Sequence, residues 1–202
     1  MKLRKSIRSL NLATLVALGF IGRANAESFE YQVVSTSKTS TFEKELNAAA
    51  AKGFYLSSIM GGETTFGWRE VVAVMQREAG GGASAKRVYK LLATNRTSTM
   101  DKELRELGEA GFEYRGQTAF ETAFRGREVI VILEKDETRP LKKIEYRLVA
   151  TTRTSTMQKE LQEAGAEQFT VVGMTVCKGF VDEFEIVTIL KRTEDAQGGG
   201  KK

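Results

Sequence analysis

Ser40, Ser98 and Ser155 each stand two residues after a basic side chain: Lys38, Arg96 and Arg153. They fall in three copies of one eight-residue string, TSTFEKEL from Thr39, TSTMDKEL from Thr97 and TSTMQKEL from Thr154. If each serine opens a helix, its hydroxyl can accept from the free N–H groups of the first turn. Those N–H groups, with a cation beside them, could also hold a phosphate or sulfate. Lys38, Ser40, Arg96, Ser98, Arg153 and Ser155 are therefore candidate anion-binding residues. Plain capping with a surface cation explains the same letters and is the commoner use of such a motif. Glu43 and Gln158 sit three residues after their serines, the spacing of a capping box, and Asp101 approximates it.

Phe66, Trp68 and Arg69, in TTFGWRE, form a second candidate. An exposed Trp beside Phe and Arg suits a partner surface or a sugar ring. The competing reading is a turn residue folded back onto the core. Glu70, Glu128 and Glu185 recur at one position and could pair with Lys44, Lys102 and Lys159 or line a pocket. A solvated strand end is the simpler expectation.

The chemistry available is narrow. The chain has no histidine and one cysteine. The commonest general base and transition-metal ligand are thus missing, and no internal disulfide can form. Cys177 stands in an apolar strand pattern and reads as an inert buried thiol. Acid–base work would fall to Asp, Glu, Lys and Tyr, and no spacing singles out a carboxylate pair of the hydrolase kind. The glycines at 61–62 and 80–82 do not lead into a helix with a Lys-Ser/Thr ending, so no phosphate-binding loop is present. No catalytic residue, cofactor or metal site is assigned.

The elements that would position these residues come in three copies. Tyr31–Arg77, Tyr89–Lys135 and Tyr146–Arg192 superpose without a gap. Each copy opens with an alternating stretch, YQVVS, YKLLA or YRLVA, which reads as a strand. The motif then starts a helix with apolar residues at helical spacing, Phe42 and Leu46 in one copy, Met100, Leu104 and Leu107 in the next. Gly53 and Gly111 stand where a helix end takes a left-handed residue. Gln168 replaces them in the third copy, which predicts a looser or differently closed end. A second strand follows near Phe54–Met60, Phe112–Ala119 and Phe169–Cys177, then a turn and a third strand, EVVAVMQR, EVIVILEK or EIVTILKR. The third strand is apolar at successive positions, so it should be buried on both faces. One helix covers only one face, so each unit needs a neighbour.

The expected class is α+β: three tandem βαββ repeats, each a small, mostly antiparallel sheet with one helix, packed on each other. Three units could close pseudo-symmetrically, or two could pair and leave the third for a partner chain. The organisation is a signal peptide over 1–26, repeat 1 over 27–78, a Gly-rich linker over 79–86, and repeat 2 over 87–136. A charged linker over 137–143, repeat 3 over 144–193 and a disordered tail over 194–202 follow.

Residues 1–26 combine Lys2, Arg4, Lys5 and Arg8, a short apolar run and Ala24-Asn25-Ala26. That is the layout of a secretory leader cut after Ala26. The whole chain has 31 Lys+Arg and 26 Asp+Glu, a net charge of +5. The leader holds five of those bases and no acid, so the remainder is balanced. A nucleic-acid role, which needs a surplus of Lys and Arg on one face, is disfavoured.

The pattern of Tyr-led strand, short capped helix, Gly-Phe and apolar last strand resembles small bacterial domains of unknown function with a strand–helix–strand–strand fold. It also looks like exported proteins built from such units in tandem. The resemblance implies no catalytic residues. The expected function is a non-enzymatic exported protein, periplasmic or secreted, that binds a protein or envelope partner, with a homo-oligomer as one arrangement. The alternative is a small-ligand or anion module using helix N-termini or clefts between repeats. A carboxylate hydrolase ranks third.

Overall fold

The computed structural model describes residues 28–63, 69–80, 85–122, 126–178 and 184–193. The leader expected over 1–26, Phe66 and Trp68, the centre of the Gly-rich linker and the expected tail lie outside the described residues. Unit 1 comprises β1 (Phe29–Thr36), α1 (Thr39–Ala50), β2 (Tyr55–Glu63) and β3 (Arg69–Glu78). Unit 2 comprises β4 (Arg87–Thr94), α2 (Thr97–Glu109), β5 (Glu113–Thr122) and β6 (Gly126–Asp136). Unit 3 comprises β7 (Ile144–Thr151), α3 (Thr154–Ala166), β8 (Thr170–Lys178) and β9 (Phe184–Thr193). No helix among these residues is long and apolar enough to cross a membrane.

Each unit is an antiparallel three-stranded sheet with its last strand in the middle: β1-β3-β2, β4-β6-β5 and β7-β9-β8. The helix therefore carries the chain over the place that the third strand later fills. Every second strand is bulged at the same point, between Leu56 and Ser58, Tyr114 and Gly116, and Val171 and Gly173. A bulge sets one extra residue against the partner and resets which side chains share a face.

The apolar third strand explains how the units assemble. Val129 to Leu133 are all buried. Ile130 and Ile132 join a core with Phe42, Leu46 and Ala49 of α1. Val129, Val131 and Leu133 join the next core, with Met100 and Leu104 of α2 and with Tyr146, Val187 and Ile189 of unit 3. α1 and α2 are thus each sandwiched between their own sheet and the following one. The third core is smaller: Val149, Ala164, Phe169 and Leu190, with Leu161 against it. The assembly is an open linear stack, neither a closed ring of three nor a pair with one unit apart.

The helix starts correct the capping expectation. The residues before the first turns are Lys38, Arg96 and Arg153, and no side chain caps these helices. The serines lie two residues further in, at the second helical position. Instead Thr36, Thr94 and Thr151 accept, through their hydroxyls, the N–H of Lys38 (3.0 Å), Arg96 (3.0 Å) and Arg153 (3.2 Å).

The helix ends are uniform. Gly53, Gly111 and Gln168 all take positive φ, 85°, 82° and 67°. Each is followed by a Phe whose N–H returns to the last turn: Phe54 to Ala49, Phe112 to Leu107 and Phe169 to Ala164. Gln168 therefore closes α3 as the glycines close their helices, against the expectation of a looser or differently closed end, with a Cβ in a region that favours glycine. Arg77, Lys135 and Arg192 lie over the rings of Phe54, Phe112 and Phe169.

Candidate functional site

The junctions between units are built from the repeated motif itself. Glu43 of α1 accepts the Leu91 N–H at 3.0 Å and pairs with Lys90 at 2.8 Å. Asp101 of α2 accepts the Leu148 N–H at 3.2 Å. The third residue after Ser40 and after Ser98 is not a cap, because it reaches the outer edge of the next sheet. Asn47 completes the first junction: its amide donates to Tyr89 O (3.0 Å) and accepts from Tyr89 N (2.8 Å). An edge strand exposes unpaired backbone groups, and here the preceding helix covers them with side chains.

The opening tyrosines lock these junctions. The Tyr146 hydroxyl accepts the Tyr114 N–H (2.7 Å) and donates to Phe112 O (3.0 Å). The Tyr89 hydroxyl accepts the Leu56 N–H (2.9 Å) and donates to the Glu134 carboxylate. Burial and Glu134 push the Tyr89 phenol well above its ordinary value, so it stays a donor at neutral pH. Alternation in the sequence marks these rings as core-facing. It gives no sign that their hydroxyls serve a neighbouring unit.

A polar cleft of about 460 Å³ opens where units 2 and 3 meet, lined among others by Arg87, Glu113, Arg115, Glu134, Arg139 and Lys191. Its charges pair with each other: Arg115 with Glu134 at 2.8 Å, Lys191 with Glu113 at 2.7 Å, and Arg139 with Asp136 at 3.1 Å. Burial raises the Glu113 carboxyl, but the hydrogen bond and charge of Lys191, with Arg115 and Lys142, outweigh it and hold the group below its ordinary value. A depressed folded pKa stabilises above the unfolded pKa and loses that effect as pH falls through the folded one. Glu113→Gln should therefore be less stable than the parent near neutrality, with the difference closing below about pH 4. Chemical denaturation across the acid range checks this, and a constant gap down to pH 2 (roughly two units below the ordinary carboxyl) would exclude it.

The residues singled out in the sequence are dispersed. Lys38 with Ser40, Arg96 with Ser98 and Arg153 with Ser155 are exposed, one pair at the start of each helix. Arg69 opens β3 and is exposed. Glu128 departs from the solvated strand end expected of it, being 3% exposed, while Glu70 and Glu185 are half-buried. Lys102 and Lys159 approach Glu106 and Glu163 along their own helices, at 3.8 and 3.9 Å. Cys177 lies on β8 opposite Glu185.

Among the described residues, the two ends of the stack carry the junction surfaces without a neighbour. At one end, Tyr31 and Val33 are each 63% exposed, whereas Tyr89 and Tyr146, the equivalents of Tyr31, are 0% and 1% exposed. Met60 and Phe29 share that face and are exposed too. At the other end, Val171, Met174 and Val176 of β8 are 52%, 59% and 49% exposed. Their equivalents in units 1 and 2 meet the next sheet: the Gly61 N–H donates to Thr118 (2.8 Å) and the Gln117 amide to Val187 O (3.2 Å). These two apolar ends are the candidate functional surfaces. Comparison with protein-family models, curated proteins and solved structures finds no match to this chain.

Proposed function

We propose that this chain is a non-enzymatic, exported interaction protein whose docking surfaces are the two end faces of the stack. One observation carries the reading: structural positions that are buried or half-buried at both internal junctions are open at the ends. Phe29, Tyr31, Val33 and Met60 form an apolar face at one end, and Val171, Met174 and Val176 at the other. Contiguous exposed apolar surface of this kind marks interaction sites. The leader-like start of the chain supports export to the periplasm or beyond. The test uses protein produced from the full-length sequence as bait against a cell-envelope fraction, beside Val33→Arg, Met174→Arg and Trp68→Ala. Loss of capture in either end variant supports the reading. Capture that both end variants retain would exclude it, and loss in Trp68→Ala alone would move the contact to the β2–β3 turn.

A second reading rests on the cleft, where basic side chains outnumber acidic ones. It could accept a small anion if the internal pairs rearranged. Calorimetry with phosphate, sulfate and sugar phosphates tests it, and an absence of heat would end it.

A further inference from the structure

We infer that the partner of each end face is the opposite end of a second copy of this chain, so that molecules join head to tail in the register of the internal junctions. The inference rests on the end-face reading above and names its partner. The internal junctions join the helix side of one unit to the tyrosine side of the next, twice in succession. The stack then leaves one unused tyrosine side, on unit 1, and one unused helix side, on unit 3.

The two unused sides match in detail. The helix residues that grip the next strand are Glu43 and Asn47 in α1, with Ala50 buried in the shared core, and their equivalents in α3 are Gln158, Gln162 and Gly165. All three of the latter are exposed. Asn47 uses a primary amide to pair with both backbone groups of Tyr89. Gln162 offers the same amide on a stem one carbon longer. In α2 the equivalent is Arg105, which instead pairs with Asp101 at 2.8 Å.

Small residues line up as well. A Cβ on Gly108 would lie 2.0 Å from Ile144 O, because the next strand fits against that glycine. A Cβ on Gly165, its equivalent, would meet nothing within 4 Å. Among the described residues, nothing fills beside α3 the space that β7 fills beside α2.

Charge follows the same rule. The first internal junction sets an acid against a base, Glu43 against Lys90. In the second, Asp101 and Arg147 hold the same positions; the hydrogen bond from Arg147 to Glu167 of its own unit chiefly raises the Arg147 pKa, and the Asp101 charge adds to it. At the ends the same two positions are Gln158 and Gln32, both neutral. At these two positions neither end presents a charge that the other would leave unpaired.

In the proposed contact the Tyr31 hydroxyl takes the Val171 N–H of the adjoining copy, as Tyr89 takes that of Leu56. Gln158 takes the Val33 N–H, as Glu43 takes that of Leu91. Val33 and Met60 cover Val171, Met174 and Val176. Because the contact is heterologous, each added copy offers a fresh end, and growth continues unless the rotation closes a ring.

Sedimentation velocity on protein from the full-length sequence, over a wide concentration range, tests this. The expected result is a mass that rises with concentration. Val33→Arg and Met174→Arg should each be monomeric alone, yet form a one-to-one dimer when mixed, because each retains the end that the other lacks. A second pair of variants avoids apolar substitutions. Gln32→Lys with Gln158→Glu in one chain should tighten association several-fold, since exposed ion pairs are modest, and Gln32→Lys with Gln158→Lys should weaken it. A monomer at every concentration overturns self-docking and leaves the end-face reading to its own capture experiment. Association abolished by one end variant and untouched by the other, or mixed variants that stay monomeric, also overturns it.

Discussion

Tyr146→Phe and Tyr89→Phe should each destabilise the protein by about 2–4 kcal/mol, while Tyr31→Phe should change it by less than about 0.5 kcal/mol. The three substitutions remove the same oxygen from equivalent positions. In Tyr146→Phe the Tyr114 N–H and the Phe112 carbonyl lose their common partner. Each buried group left without a partner costs roughly 1–3 kcal/mol. In Tyr89→Phe the Leu56 N–H and a Glu134 carboxylate oxygen are left instead, and a buried charge tolerates that worse than a neutral group does. Tyr31 sits in water, which replaces its hydroxyl. Thermal melts of dilute protein, where any association is minimal, would show midpoints lowered on the order of 10 °C for the two buried sites. Equal effects at all three positions would mean that the hydroxyls do not hold the junctions.

The second large effect concerns two glycines at one position of neighbouring helices. Alanine is the better helix former by about 1 kcal/mol, so Gly165→Ala should stabilise by up to that amount. Gly108→Ala should do the reverse, because the new methyl would stand 2.0 Å from Ile144 O and 2.8 Å from a ring carbon of Tyr146. Backbone cannot yield as a side-chain tip can, and overpacking of this kind costs roughly 1–3 kcal/mol or more. Gly108→Val adds bulk and a stiff χ1 to the same clash and should be the worst of the three. Urea denaturation of the three variants gives the ordering, and a stabilised Gly108→Ala would show that α2 does not lie against β7 so closely.

The three strands and one helix of each unit are legible in the sequence, because alternation, helical spacing and glycine placement all agree there. The need for a neighbour is legible too. Val129 to Leu133 cannot alternate between core and water, and the structure divides them between two cores. What stays hidden is anything that depends on a second unit's position. Glu43 has the spacing of a capping partner, and only the arrival of β4 beside α1 shows that it serves Leu91. Gln168 looks like a missing glycine, yet the pull of Phe169 into the core closes the helix regardless. Met174 and Val176 read as core residues by type, and no local pattern distinguishes them from Ile59, which is covered. The bulge in each second strand, with no glycine at the extra residue, leaves no mark in the letters.

The sharing of cores between successive units also sets an order of events during synthesis. A chain is made from its N-terminus, and domains generally settle as they emerge. Here Phe42 and Leu46 of α1 share a core with Tyr89, Phe120, Ile130 and Ile132, which are made far later. The first unit therefore waits, half-covered, until nearly all of the second has been made. The second waits in turn for Tyr146, Val187 and Ile189. Maturation trails the growing chain by one whole unit, and during each wait the exposed helix flank is the segment that a chaperone or protease meets first.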